Sequence, residues 1–262
     1  MIYKAIGETN VGRVRDHNED AFLVSEAGSY FLVSDGMGGL AAGEVASAIT
    51  KEAVKDVFGA PNASLPLEEV ISQAIQEANR RVREEQDKSD TNKEMGATCV
   101  ILAFRDKEFS LGFVGDSRVY LFRKDSLKQL TRDHSYVEEL YERGLINESE
   151  KANHPFRNSI TRYIGNVDEI NPEIMSGAVH EGDVFILCSD GLTNELEDSE
   201  IEEILKNENE SLKVAVDTLI QRALEHGGKD NVSIVIVKAF PDEREPSFWD
   251  TFCSAIRKMF KN

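Results

Sequence analysis

Three apolar runs in this chain end on an aspartate flanked by glycine. Residues 30–34 run into Asp35-Gly36-Met37-Gly38-Gly39, residues 109–114 into Gly115-Asp116-Ser117-Arg118, and residues 184–189 into Asp190-Gly191. A fourth aspartate, in Lys229-Asp230-Asn231, instead precedes an apolar run, residues 232–237. A carboxylate at a strand tip, beside a glycine that lets backbone approach closely, is a good ligand for a hard divalent cation. One Asp-Gly pair is a common turn. Here Leu187-Cys188-Ser189-Asp190-Gly191 repeats the design of Leu32-Val33-Ser34-Asp35-Gly36, and Asp116 and Asp230 join them. If the strands lie side by side in one core, the tips converge and the chain is a metal-dependent enzyme.

A second dense stretch is Gly12-Arg13-Val14-Arg15-Asp16-His17-Asn18-Glu19-Asp20. The planar guanidinium fork grips two phosphate oxygens, so Arg15 is a candidate phosphate clamp, with an ion pair to Glu19 or Asp20 as the alternative. Glu19 and Asp20 stand where a strand is expected to begin. One can face the metals while the other supports a loop.

The elements that must position these groups follow from periodicity. Residues 21–24, 30–34, 98–104, 108–114, 118–122, 184–189 and 232–239 read as strands. The links within 98–122 are too short for a parallel crossover, so they form an antiparallel meander. Residues 43–58 read as a helix with Val45, Ile49, Ala53 and Val57 on one face. Residues 67–86 read as another, turning Val70, Ile71, Ala74, Ile75, Ala78 and Val82 inward. A second helix pair is expected near 198–206 and 211–225. Residues 135–171 are polar and irregular, with a short helical stretch near 136–143, and a connection that long suits a functional flap. The expected fold class is α+β: two packed antiparallel sheets flanked by pairs of helices, with a flap, over residues 1–240. After Pro241, residues 241–262 form a tail. In it Phe248, Phe252, Ile256 and Phe260 recur every four positions beside Trp249, with Arg257, Lys258 and Lys261 near the end. That spacing predicts an amphipathic helix that docks on its own domain, on a partner or on a membrane surface.

Composition narrows the function. Hydrophobic residues are 40% of 262, enough for a large core, and the net charge of −18 argues against nucleic acid as a partner. No stretch approaches the apolar length of a transmembrane helix or of a signal-peptide core, so a cytoplasmic protein is expected. Three cysteines, two of them (Cys99 and Cys188) inside apolar runs, suggest neither a disulfide framework nor a zinc site.

Taken together and in order, Arg15-x-x-x-Glu19-Asp20, Ser34-Asp35-Gly36-Met37-Gly38-Gly39, Gly96-Ala97-Thr98, Gly115-Asp116-Ser117-Arg118, Leu130-Thr131-Arg132-Asp133-His134-Ser135, Ser189-Asp190-Gly191 and Lys229-Asp230-Asn231 resemble the PPM/PP2C family of metal-dependent protein serine/threonine phosphatases, in its compact bacterial branch. The resemblance covers about residues 1–240. It implies a β-sandwich flanked by helices and two core Mn²⁺ or Mg²⁺ ions, with a third, weaker ion. It implies that Asp35 bridges the two ions, that the Gly36 carbonyl ligates the first, and that Asp190 and Asp230 ligate the second. Glu19 would act through a metal-bound water, and Asp116 with Asp190 would hold the third ion. Arg15 would grip phosphate, while Asp20 and Asn231 would support the ligands from behind. The implied reaction is hydrolysis of phosphoserine and phosphothreonine by a metal-activated water, without a phosphoenzyme; Cys99 and Arg105 have the Cys-x5-Arg spacing but bracket an apolar strand-like run, not the phosphate-binding loop that cysteine phosphatases use. Animal members place histidine after the Asp-Gly, where this chain has Met37, which leaves the leaving-group acid open between water on the third ion and His134. Partners implied are phosphorylated proteins and a cognate Ser/Thr kinase. Two alternatives are a catalytically silent phosphoprotein-binding module and a partner-switching phosphatase with one dedicated substrate. Flap residues Arg157 and Arg162 are candidate phosphopeptide contacts, with surface ion pairs as the other use.

Overall fold

The computed structural model describes residues 1–242 apart from 27, 39–41, 62–63, 89–93, 167–168 and 209–210. Eleven strands are assigned in this region: β1 (Ile2–Asn10), β2 (Asp20–Val24), β3 (Tyr30–Met37), β4 (Gly96–Ala97), β5 (Cys99–Arg105), β6 (Glu108–Val114), β7 (Arg118–Arg123), β8 (Ser126–Gln129), β9 (Glu173–Ala178), β10 (Val184–Cys188) and β11 (Val232–Phe240). The helices are α1 (Ala42–Gly59), α2 (Leu67–Lys88), α3 (Tyr136–Glu142), α4 (Glu148–Ala152), α5 (Asp190–Thr193), α6 (Asp198–Glu208) and α7 (Leu212–His226).

One sheet has the order β1-β11-β10-β7-β8 and the other β2-β3-β5-β6-β9, with β4 paired to β3. The pairings are antiparallel. The central strands read as unbroken apolar runs because both of their faces are covered. In β11, Val235, Val237 and Ala239 enter the layer between the sheets, while Val232, Ile234 and Ile236 pack under α6 and α7. In β5, Val100, Leu102 and Phe104 point between the sheets and Cys99, Ile101 and Ala103 toward α1 and α2. The result is helix, sheet, sheet, helix, so the expected α+β sandwich is borne out.

Helix α2 buries all six residues its periodicity marked, but α1 is rotated from the expected face. Its buried positions are Ala42, Gly43, Ala46, Ser47, Thr50, Ala53 and Val54, whereas Val45, Ile49 and Val57 are half-buried at the edge of the cluster. The cause is close approach to β3. A Cβ on Gly43 would lie 2.7 Å from the Gly36 carbonyl group, so the helix turns its smallest side chains to the sheet.

Strands β1, β8 and β9 and helix α4 carry no strong periodic signal. β1, β8 and β9 are edge strands paired on one side only, so one-sided contact suffices to hold them. Helix α4 begins at Asn147, whose side chain accepts from the Glu150 amide while Glu150 reaches back to the Asn147 amide, a capping box readable in Asn147-x-x-Glu150. The amphipathic pattern at 243–262, and with it Cys253, lies outside the described residues, as does Gly39.

Candidate metal centre

Strand pairing brings the aspartates to one end of the sandwich. β2 and β3 set Asp20 opposite Asp35. Thr98 grips Asp35 from the junction between β4 and β5: its hydroxyl accepts from the Asp35 amide at 2.8 Å, and its amide donates to the Asp35 carbonyl at 2.8 Å. The Thr98 hydroxyl also lies 2.6 Å from that of Ser117, beside Asp116 in the turn between β6 and β7. In the other sheet, Cys188 of β10 pairs with Ile234 of β11 and Arg118 of β7, so Asp190, Asp230 and Asp116 emerge at the same end.

Two close backbone approaches tighten the cluster. A Cβ on Gly36 would be 2.1 Å from the Gly43 carbonyl oxygen and 2.5 Å from that of Glu19, and one on Gly191 would be 2.0 Å from the Asn231 carbonyl oxygen. Only glycine permits these contacts. They seat Glu19 and the start of α1 against β3, and Asp190 against the start of β11. Asn231 completes the frame. Its Oδ1 accepts from the Glu19 amide at 2.8 Å, and its Nδ2 donates to the carbonyls of Val11 and His17 at 2.9 Å each.

The electrostatics are one-sided. Burial pushes the Asp35 carboxyl well above its ordinary value, and Asp20, Asp190, Asp116 and Asp230 push it further. Asp116 is raised in the same way, by burial and then by Asp190 and Asp133. Asp190 is raised by burial and then by Asp230. Asp20 is raised to about 7, chiefly by burial, although the Ser189 hydroxyl donates to it at 2.7 Å. Glu19 is raised by burial against the pull of Arg15. One buried oxygen each of Asp20, Asp116 and Asp190 has no hydrogen-bond partner in the protein. Buried carboxylate oxygens without a donor are costly, and a hard cation satisfies them. The donor set therefore suits divalent metal. Among the described residues, however, no three of these side chains are already drawn into one ligand set.

Arg15 is half-exposed and donates to Asp230 at 2.8 Å, so its ion-pair partner is Asp230 rather than Glu19 or Asp20. Next to Asp116 and Asp190 opens a cleft of about 440 Å³, walled by Ser135, Lys151 and Arg157 on one side and Glu197 on another. Arg162 turns away into a contact with Glu173 and the Asn171 carbonyl. His134 is 4% exposed with both ring nitrogens engaged, which removes it as the leaving-group acid. Cys99 and Cys188 are buried and their thiols pushed up by burial. Residue-by-residue reasoning missed Ser189 and the bidentate Arg118–Asp133 pair at 2.7 to 3.1 Å beneath the cleft. Both sit inside the recognised motifs, and only their neighbours across the sheet reveal what they hold.

A sandwich whose two sheets deliver unneutralised carboxylates to one end, beside an open cleft and an arginine, defines a cation-dependent class of protein acting on an anionic substrate. Residues 12–231 match the family described as Protein phosphatase 2C, and the chain belongs to that family. It is 36% identical over 237 residues to the "Serine/threonine phosphatase stp" of Listeria innocua, covering 88% of this chain and 93% of the relative. The crystal structure of the Mycobacterium tuberculosis serine/threonine phosphatase PstP/Ppp superposes with a TM-score of 0.86 at 30% identity, over 92% of this chain and 100% of that one. The PstP catalytic domain in complex with two manganese ions superposes with a TM-score of 0.83 at 30% identity, over 91% of this chain and 99% of that one. The protein is a serine/threonine phosphatase of a metal-dependent family, acting on phosphoproteins. Among the described residues no helix is long and apolar enough to cross a membrane.

Proposed function

We propose that this phosphatase uses Mn²⁺ or Mg²⁺ held by Asp35, the Gly36 carbonyl, Asp190 and Asp230, with Glu19 contributing through water and Asp116 with Asp190 holding a third, weaker ion. The observation behind this reading is the set of partnerless buried oxygens on Asp20, Asp116 and Asp190, within a group of carboxylates that raise one another's pKa. When bound, the cations supply the positive charge that makes a water molecule acidic enough to attack phosphorus near neutral pH.

The chain's own residues do the rest. Thr98 fixes the backbone of Asp35, and Asn231 locks the loop carrying Glu19 to the start of β11. Asp20 and Asn231 support the site from behind the proposed ligands. Arg15, exposed enough to turn, presents its fork to two oxygens of the phosphoryl group and stabilises charge as it develops there. The buried, high-pKa thiols of Cys99 and Cys188 offer no nucleophile, in keeping with hydrolysis without a phosphoenzyme. The protein works in the cytoplasm opposite a cognate Ser/Thr kinase, and the 241–262 tail docks on its own domain, on a partner or on a membrane surface.

The test is turnover of p-nitrophenyl phosphate and of a phosphothreonine peptide with Mn²⁺, with Mg²⁺ and with EDTA, beside Mn²⁺ calorimetry. Turnover should require metal. Asp35→Asn should lose it by at least about a thousandfold while far-UV circular dichroism is unchanged, because the charge shared between ions is gone. Equal turnover in EDTA, or an Asp35→Asn isotherm identical to wild type, would refute the assignment.

A further inference from the structure

The cleft of about 440 Å³ opens onto Asp116 and Asp190, each with a buried oxygen that has no partner. A peptide that presents its phosphoryl group there lays its neighbouring residues along the cleft walls. One wall is the flap, with Glu138, Glu148, Lys151 and Arg157. Another is the turn from α5 into α6, with Leu196, Glu197 and Asp198.

Most charge in these walls is neutralised within them. On the floor, Arg118 holds Asp133 at 2.7 to 3.1 Å. Lys151 lies 2.8 Å from Glu138 and 3.1 Å from Glu148. Setting each base against its nearest acid leaves the carboxylates Glu148, Glu197 and Asp198 opposed by one base, Arg157. Arg157 and Glu197 are exposed, and neither has an ion-pair partner among the described residues. Asp116 and Asp190 belong to the metal centre and stand outside this balance. The walls therefore keep a surplus of negative charge.

Glu197 is held in place at the edge of the cleft. Leu196 before it is buried in the cluster under α6 and α7. Asp198 after it accepts from the Tyr120 hydroxyl at 2.8 Å. The Glu197 carbonyl accepts from the amides of Glu200 at 2.9 Å and Ile201 at 3.2 Å. An acid just before a helix also suits the helix dipole. Asp198 and Glu200 already supply that charge in the first turn of α6, so the dipole leaves the Glu197 side chain unexplained.

We propose that this cleft selects phosphoserine and phosphothreonine segments that carry a lysine or arginine close to the phosphoresidue, and that Glu197 is the specificity-determining residue that receives the base. This rests on attack at the metal centre beside the cleft. The phosphoryl group is met by the cations and Arg15, so its charge is answered there. A flanking base then meets attraction from the walls and a flanking acid meets repulsion, and discrimination comes from both.

The test uses the full chain with Mn²⁺ and phosphothreonine peptides that differ only in lysine or glutamate, placed before or after the phosphoresidue and within about three residues of it, the ~10 Å reach of an extended chain. An exposed ion pair is worth up to about fivefold, and exchanging lysine for glutamate turns attraction into repulsion. On the side that enters the cleft, kcat/KM at low ionic strength should favour lysine about tenfold, and the preference should fade in about 0.5 M salt. Glu197→Gln should reduce it to about threefold, and Glu197→Lys should bring it close to unity. The readout is a ratio of two peptides on one protein, so a change common to both cancels. Equal turnover of lysine and glutamate peptides on both sides would overturn the proposal. So would a preference that Glu197→Lys leaves intact while lowering the urea midpoint, since Glu197 then serves only the start of α6. A wrongly assigned metal centre shows itself separately, as wild-type turnover of p-nitrophenyl phosphate in EDTA, and the peptide ratio still decides the cleft.

Discussion

Asp20→Asn should make the protein more stable at alkaline pH in EDTA, by an amount that grows with pH. The Asp20 carboxyl is raised from 3.8 to about 7, chiefly by burial. In the unfolded chain it ionises near its ordinary value. Below about pH 3.8 the group is protonated in both states and carries no penalty. Between there and pH 7 the unfolded chain releases a proton that the folded one keeps, so stability falls as pH rises. Above pH 7 both states are ionised and the penalty is constant, on the order of 4 kcal/mol for a shift of about three units. Across pH 5 to 8.5 the part that changes is roughly 3 kcal/mol. An asparagine keeps an acceptor for the Ser189 hydroxyl but leaves a buried amide donor unpaired, a pH-independent cost of about 1–3 kcal/mol. The slope, not the offset, is therefore the diagnostic. His134 is lowered by burial and by Arg162 and so acts in the opposite sense near pH 6.5, but it is common to both proteins and cancels in the difference. Urea unfolding followed by far-UV circular dichroism measures it, since the single tryptophan, Trp249, lies in the tail. The stability of Asp20→Asn relative to wild type should rise by roughly 3 kcal/mol between pH 5 and 8.5, about one molar in urea midpoint. Parallel curves would refute the view that this end of the sandwich is strained by buried negative charge.

Two further outcomes are expected. Arg15→Ala should raise KM for a phosphopeptide about tenfold while changing stability by less than about 1 kcal/mol, because its pair with Asp230 is half-exposed; an unchanged KM in steady-state kinetics would remove Arg15 from phosphate binding. Gly191→Ala would place a methyl 2.0 Å from the Asn231 carbonyl, prising α5 from β11; it should cost about 2–3 kcal/mol in urea unfolding and weaken Mn²⁺ binding in calorimetry.

The central strands and the four long helices were legible because both faces of each strand, or one stripe of each helix, had to be apolar whatever the neighbours were. The sandwich architecture followed from the short links of the meander and from the pairing of helices. Edge strands β1, β8 and β9 escaped because a strand held on one side needs little pattern of its own. The α1 face was misread for a related reason. Hydropathy points to valine and isoleucine, but contact with Gly36 demands small side chains, and that contact exists only in three dimensions.

At the site, the strand-tip aspartates and their glycines stand out in one dimension because residue type and position relative to an apolar run are local properties. Their partners are not local. That Arg15 meets Asp230, that Ser189 meets Asp20, that Asn231 ties the segment between β1 and β2 to the start of β11 and that His134 holds Gly115 are pairings between residues 19 to 220 positions apart. The chain alone determined which side chains could bind a cation and which ends of strands would present them. The packing of two sheets decided which of them share a dry space, and only there does burial, reinforced by neighbouring carboxylates, hold the proton of Asp20 to neutral pH.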